Sequence, residues 1–172
     1  MKKTLLILMT AIIVAGCAAD YKNLYTPEKD YLERRNIETR LFDTTDEKEI
    51  LIASAQVLQD MGYTIKESEV PLGVITASKN REAGSTAGKV TLTVLAALSG
   101  TRAQYEDTQR FYVSIVTAKT KDDKIKTRVT FARRTWDNYG NLLKIEKIDD
   151  PKLYQEFFDK LSKSVFLTAN GI

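Results

Sequence analysis

Two stretches of two-residue alternation, separated by five polar residues, constrain this chain more than any other feature in it. Over Gln109 to Lys119, Phe111, Val113 and Ile115 alternate with Arg110, Tyr112 and Ser114; over Ile125 to Trp136, Ile125, Val129 and Phe131 alternate with Lys126, Arg128, Thr130 and Arg134. A period of two places each set on its own face of an extended chain. With Thr120 to Lys124 as the connection, the pattern predicts a long antiparallel hairpin that offers one face to a core and the other to water. Asp137-Asn138-Tyr139-Gly140-Asn141 is a second turn signal and leads into a further strand, Leu142 to Ile148.

The apolar face needs a cover, and the flanking segments supply two helices. Asp43-Thr44-Thr45-Asp46 offers N-cap oxygens, with Glu47 three residues after Thr44 and Glu49 three after Asp46 as capping-box partners. Ile50, Ala53, Val57 and Met61, with Leu51 and Leu58 beside them, form an apolar stripe at helical spacing, and Gly62 suits a left-handed C-terminal cap. Asp150-Pro151 reads as an N-cap followed by a proline at the first helical position. Tyr154, Phe157, Phe158, Leu161, Val165 and Phe166 then run down one side until Asn170-Gly171, the stripe of a helix that covers a sheet. Ile37 to Phe42 reads as a first strand, and Tyr63 to Ser68 with Gly73 to Ser78 as a hairpin turned at Pro71 and Gly73. The order strand, helix, strands, helix predicts an α+β fold: a single antiparallel sheet with two main helices packed on one face.

One segment stands apart. Asn80 to Thr108 is an insertion in which Gly84, Gly88 and Gly100 bracket the run Val90 to Leu98. Val90, Val94, Ala97 and Leu98 suit a helix; Val90, Leu92 and Val94 equally suit a strand, and a short helix is the preferred reading. Two roles stay open: packing on the domain to extend its core, or serving as a partner-binding or membrane-dipping element through Val90, Leu92, Val94, Leu95 and Leu98. Gly84-Ser85-Thr86-Ala87-Gly88-Lys89 is no phosphate loop, having three residues between its glycines and Val90 where Ser or Thr would bind Mg²⁺.

Composition narrows the chemistry. In 172 residues there is no His and one Cys, which removes the commonest general base, the commonest metal ligand, and internal disulfides and Cys-rich zinc sites. No Ser-x-x-Lys occurs, and Ser78-Lys79 places its two groups on opposite strand faces. Asp122-Asp123 and Asp149-Asp150 read as turn and capping residues. The expectation is a protein that is not an enzyme and uses no cofactor and no metal.

The N-terminus carries an address. Lys2 and Lys3 precede an apolar run from Leu5 to Val14 broken by Thr10, the pattern of a secretory signal peptide; at about 10 residues the run falls short of the roughly 20 a bilayer-spanning helix needs. Val14-Ala15-Gly16-Cys17 resembles the lipobox of bacterial lipoproteins, which implies that the Cys17 thiol is alkylated by a diacylglyceryl group and that residues 1–16 are removed. Two or three acyl chains make such an anchor effectively permanent. Ala18 is not the Asp that retains enterobacterial lipoproteins in the inner membrane, so the resemblance implies the outer membrane, facing the periplasm. Removing Lys2 and Lys3 from the 26 basic side chains leaves 24 against 23 acidic ones, and a near-neutral exported protein gives no argument for nucleic acid. Residues 17–36 then read as lipidated Cys and polar tether, with Tyr21, Tyr25 and Tyr31 either docked on the domain or resting at the headgroups. Residues 37–172 form the domain, with the insertion at 80–108.

Arg40-Leu41-Phe42-Asp43-Thr44, Leu58-Gln59-Asp60-Met61-Gly62-Tyr63, Leu72-Gly73 and Asp150-Pro151 to Leu161 together resemble a family of uncharacterised bacterial lipoproteins, over nearly all of the mature chain. The element order also resembles the helix-grip domains of BamC, a lipoprotein accessory to the outer-membrane β-barrel assembly machinery. BamC carries two such domains after a long unstructured segment, whereas this chain has room for one and a short tether. The resemblance implies a helix-grip fold and no particular binding residues.

The outward parity of the long hairpin gathers Arg110, Tyr112, Lys126, Arg128, Arg134 and Trp136. They read either as a solvated face or as a surface for an acidic protein or anionic cell-wall polymer. The sequence therefore predicts a lipid-anchored module that binds or scaffolds an envelope protein. The alternative is a lipoprotein that holds a small apolar or cell-wall molecule between sheet and terminal helix.

Overall fold

The computed structural model describes residues 30–169. The expected signal peptide, Cys17 with its lipobox-like residues, Tyr21 and Tyr25 of the expected tether, and the expected Asn170-Gly171 helix stop lie outside the described residues. The compact unit that follows begins at Glu33. Helix α1 (Tyr31–Glu38) leads into β1 (Thr39–Phe42), α2 (Glu47–Asp60), β2 (Thr64–Glu69), β3 (Val74–Glu82), α3 (Thr86–Leu98), β4 (Glu106–Lys119), β5 (Ile125–Asp137), β6 (Leu142–Lys147) and α4 (Pro151–Ala169). The six strands make one antiparallel sheet in the order β1-β5-β4-β3-β2, with β6 also paired to β5.

The long hairpin is the spine of this sheet, with Val113 opposite Phe131 and Ile115 opposite Val129. On the inner face Val113, Ile115, Ile125, Val129 and Phe131 join Ile75 and Ala77 of β3. α2 lays Ile50, Leu51, Ala53, Val57 and Leu58 on them, and α4 adds Tyr154, Phe157, Phe158 and Leu161. Burial on this scale contributes about 1.5–3 kcal/mol for each large apolar side chain. Both helices start as their sequences require. Asp46 Oδ1 accepts from the Glu49 N–H at 2.9 Å, and Asp150 Oδ1 accepts from the Lys152 N–H at 3.0 Å. Glu47 does not complete a capping box; its carboxylate accepts instead from the Thr117 hydroxyl at 2.6 Å, which ties the start of α2 to β4. Gly62 ends α2 at φ +80°, in the left-handed region.

Three expectations need correction. Ile37 and Glu38 belong to α1, not to β1, and Tyr31 to Asn36 are helical rather than irregular. β1 is short because the β5 edge it uses is already occupied further along: Phe131 O accepts from the Ile148 N–H, and β6 pairs from Ala132 onward. Phe166 is 64% exposed, since at 100° per residue it stands well off the line of Leu161 and Val165. The outer strand β2, Thr-Ile-Lys-Glu-Ser-Glu, is mostly exposed and is broken by a bulge between Ile65 and Glu67.

Candidate functional site

Between the sheet and the terminal helix the interior is packed with aromatic rings. Phe131 meets Tyr154 edge-on at 5.2 Å and Phe157 at 6.2 Å, and Phe157 meets Phe158 at 5.3 Å; all four are at most 2% exposed. The Tyr154 hydroxyl donates to Ile148 O at 2.8 Å, and burial pushes its pKa up to about 12, as it does for Tyr63. The space between sheet and terminal helix, where a small molecule was one expectation, is thus filled by side chains the fold needs. Among the described residues no three His, Cys, Asp or Glu side chains converge on a metal position.

The outer face of the sheet is different. The described core cluster lies on the inner face, and on the outer one the hairpin register sets Arg110 directly opposite Arg134. Like charges so placed repel, and each guanidinium turns to an aromatic ring on the diagonal. Arg110 lies 5.7 Å from the Trp136 ring centre and Arg134 lies 4.8 Å from that of Tyr112. Asn80 on β3 fixes Arg110 further, its Oδ1 accepting from Arg110 Nε at 2.7 Å. That bond uses the inner edge of the guanidinium and leaves the terminal nitrogens for an incoming anion. Beside it a polar cleft of about 240 Å³ is lined by Gly62, Thr64, Lys66, Ser78, Lys79, Asn80 and Arg110. Lys79 does not serve that anion: its ammonium donates to Met61 O at 3.1 Å and sits over the Tyr63 ring at 4.3 Å. Burial lowers its pKa.

Of the expected outward set, the structure gathers Arg110, Tyr112, Arg134 and Trp136. Arg128 and Lys126 share the face without joining the group, because Arg128 is six positions from Arg134 along β5, roughly 20 Å away, opposite Val116 and Thr39. Asn80 and Lys66 were not singled out from sequence. Asn80 needs the β3–β4 register to be seen opposite Arg110, and Lys66 stands at the bulge, where simple alternation fails.

The insertion forms α3, capped by Ser85, whose Oγ accepts from the Gly88 N–H at 3.2 Å. Its base is well tied. Lys89 pairs with Asp107 at 2.7 Å, an interaction that raises the lysine's pKa and lowers that of the aspartate. The connection after α3 is laced to the β5–β6 turn. The Asn138 side chain donates to Ala103 O at 3.1 Å and accepts from the Tyr105 N–H at 3.1 Å, and Gln104 donates to Asp137 Oδ2 at 2.8 Å. Asp137 also accepts from Tyr139 and Asn141. Burial alone would raise its pKa, but these hydrogen bonds more than offset it and leave the pKa at about 2.

The outer side of α3, by contrast, is bare. Val90, Leu92, Val94, Leu95 and Leu98 are 48–81% exposed, and Ala96 is the buried residue of the helix. Of the two roles left open for this run, packing on the domain accounts for Lys89 and Ala96 on the inward side, while the large apolar groups stay exposed. Among the described residues no helix is long and apolar enough to cross a membrane.

The described residues thus define a single-sheet α+β domain with one sealed face, an uncovered Arg/aromatic face, and an uncovered apolar helix at the end of the sheet that carries Arg110 and Trp136. Compared with known proteins, the chain matches no family model and no curated sequence.

Proposed function

We propose that this chain is a lipid-anchored, periplasm-facing envelope lipoprotein that acts as a non-enzymatic binding or scaffolding module of an outer-membrane-associated complex. The observation that carries this reading is the contrast between the two sheet faces. α2 and α4 cover the apolar core of the inner face, while the outer face presents two guanidinium groups held against Trp136 and Tyr112 with no carboxylate bound to them among the described residues. Pre-set arginines and aromatic rings are the chemistry of binding hot spots, and an acidic protein surface or anionic polymer complements them. The lipobox-like Val14 to Cys17 supports the anchor, and the likeness in element order to BamC's helix-grip domains agrees with an accessory role beside an envelope machine.

The test is crosslinking in cells from a photoreactive residue placed at Thr108, next to Trp136, followed by identification of the attached partner. A discrete adduct that disappears in Arg110→Glu/Arg134→Glu is expected; an adduct of unchanged yield in that variant sinks the binding face. Mass spectrometry of the native N-terminus checks the anchor separately, with an acylated Cys17 expected and a free thiol ruling it out.

A further inference from the structure

We propose that the bare helix α3 is covered by the bilayer that holds Cys17, lying in its plane at the boundary between headgroups and acyl chains. This rests on the anchored reading above and names the occupant of one of its two open surfaces.

Charge is the first argument. From Val90 to Thr101 no residue is ionisable, and Lys89, the one charge between Gly84 and Thr101, is turned back onto Asp107 and over the Tyr105 ring. A solvent-facing helix ordinarily keeps a polar outer side; α3 keeps Val90, Val94, Leu95 and Leu98 there instead.

The hydroxyls are the second argument. Thr91 donates to Ala87 O at 2.9 Å, Thr93 to Lys89 O at 2.8 Å, and Ser99 to Ala96 O at 3.0 Å. Each polar side chain from Val90 to Ser99 therefore already has a partner within the helix. Hydroxyls satisfied within the helix add no unpaired donor that a hydrocarbon environment would penalise.

Length and reach agree. Thirteen residues make a helix about 20 Å long, short of the roughly 30 Å of a hydrocarbon core, so lying in the plane is the geometry open to it. The thirteen residues from Ala18 to Asp30 span about 45 Å at most, and an anchored domain on so short a tether meets the surface at high effective concentration. Arg81 and Arg102 flank the insertion beside Glu82 and Glu106, and their long side chains can reach headgroup phosphates.

The experiment uses the full lipidated chain in vesicles of phosphatidylethanolamine and phosphatidylglycerol. An environment-sensitive fluorophore is placed at Leu98→Cys and, as the control, at Lys121→Cys in the far hairpin turn. Shielding of the Leu98 site from aqueous iodide by at least threefold relative to the Lys121 site is expected, and Leu95→Asp in the same labelled chain is expected to abolish it while vesicle flotation persists. Equal quenching at the two sites overturns the proposal and leaves the anchor intact. Shielding that vanishes below one copy per vesicle assigns α3 to a second copy of the chain and also overturns it. Shielding in a chain whose Cys17 is found unmodified keeps α3 on the bilayer and removes the anchor instead.

Discussion

Helices α3 and α4 carry similar apolar side chains and meet opposite fates. Tyr154, Phe157, Phe158 and Leu161 of α4 are at most 2% exposed, while Leu92, Val94, Leu95 and Leu98 of α3 are 48–81% exposed. What separates them is the other side of each helix. α4 opposes its stripe with Lys152, Glu156, Asp159, Lys160 and Lys163, so its orientation is decided by water as much as by the core. α3 has no charged side apart from Lys89, and Lys89 faces inward to fasten the helix down. A helix whose polar anchor turns inward and whose large apolar side chains stay exposed presents a face that the described residues leave uncovered.

Cutting into the sealed region gives the largest expected effect. Phe157→Ala removes a ring packed between Phe131 and Phe158, and a loss of about 4 kcal/mol in urea unfolding is expected. A loss under 1 kcal/mol would mean that the groove can rearrange to take a guest. Gly73→Ala should cost about 3 kcal/mol in the same measurement. Gly73 sits at φ +64°, and a Cβ there would stand 2.6 Å from Glu47 Oε1 and 2.8 Å from Thr117 O, a backbone atom that cannot step aside. Tyr154→Phe keeps the ring and removes the hydrogen bond to Ile148 O, for an expected loss of about 1 kcal/mol.

On the open side, Leu98→Ser should change stability by less than about 0.5 kcal/mol, because a residue 81% exposed has little packing to lose. A larger loss would show that α3 is covered within the isolated chain. The subtlest expectation is pH-dependent. Asp137 is depressed to about 2 in the fold, so the stability it lends is complete above the ordinary carboxylate range, near pH 4, and is lost as pH falls through about 2. Amide exchange at Gln104 and Tyr105, on the connection behind α3, should therefore accelerate across that window before the core opens, and Asp137→Asn should remove the step.

The core was legible in the sequence because period-two and period-3.6 patterns report which side chains leave water, and both helix starts were written in Asp46 and Asp150. The limits of β1 were not, because they depend on β6 and Ile148 occupying the rest of the β5 edge, a fact of pairing rather than of local pattern. The outer-face cluster was half legible. Parity put Arg110, Tyr112, Arg128, Arg134 and Trp136 on one face, but register alone decides that Arg128 stands apart and that Asn80 belongs. For α3 the helix was readable and its exposure was not, since the apolar run suits a core equally well until the inward side is seen to be taken by Lys89 and Ala96.

The outermost strand, β2, has a further consequence. A row of free backbone donors and acceptors invites another copy to add its own strand. Here Lys66, Glu67 and Glu69 charge that margin, and the bulge after Ile65 breaks its regular spacing. Strand-to-strand pairing between copies rises with local concentration, so a margin that refuses to zip keeps neighbouring molecules from fusing into fibrils wherever they crowd.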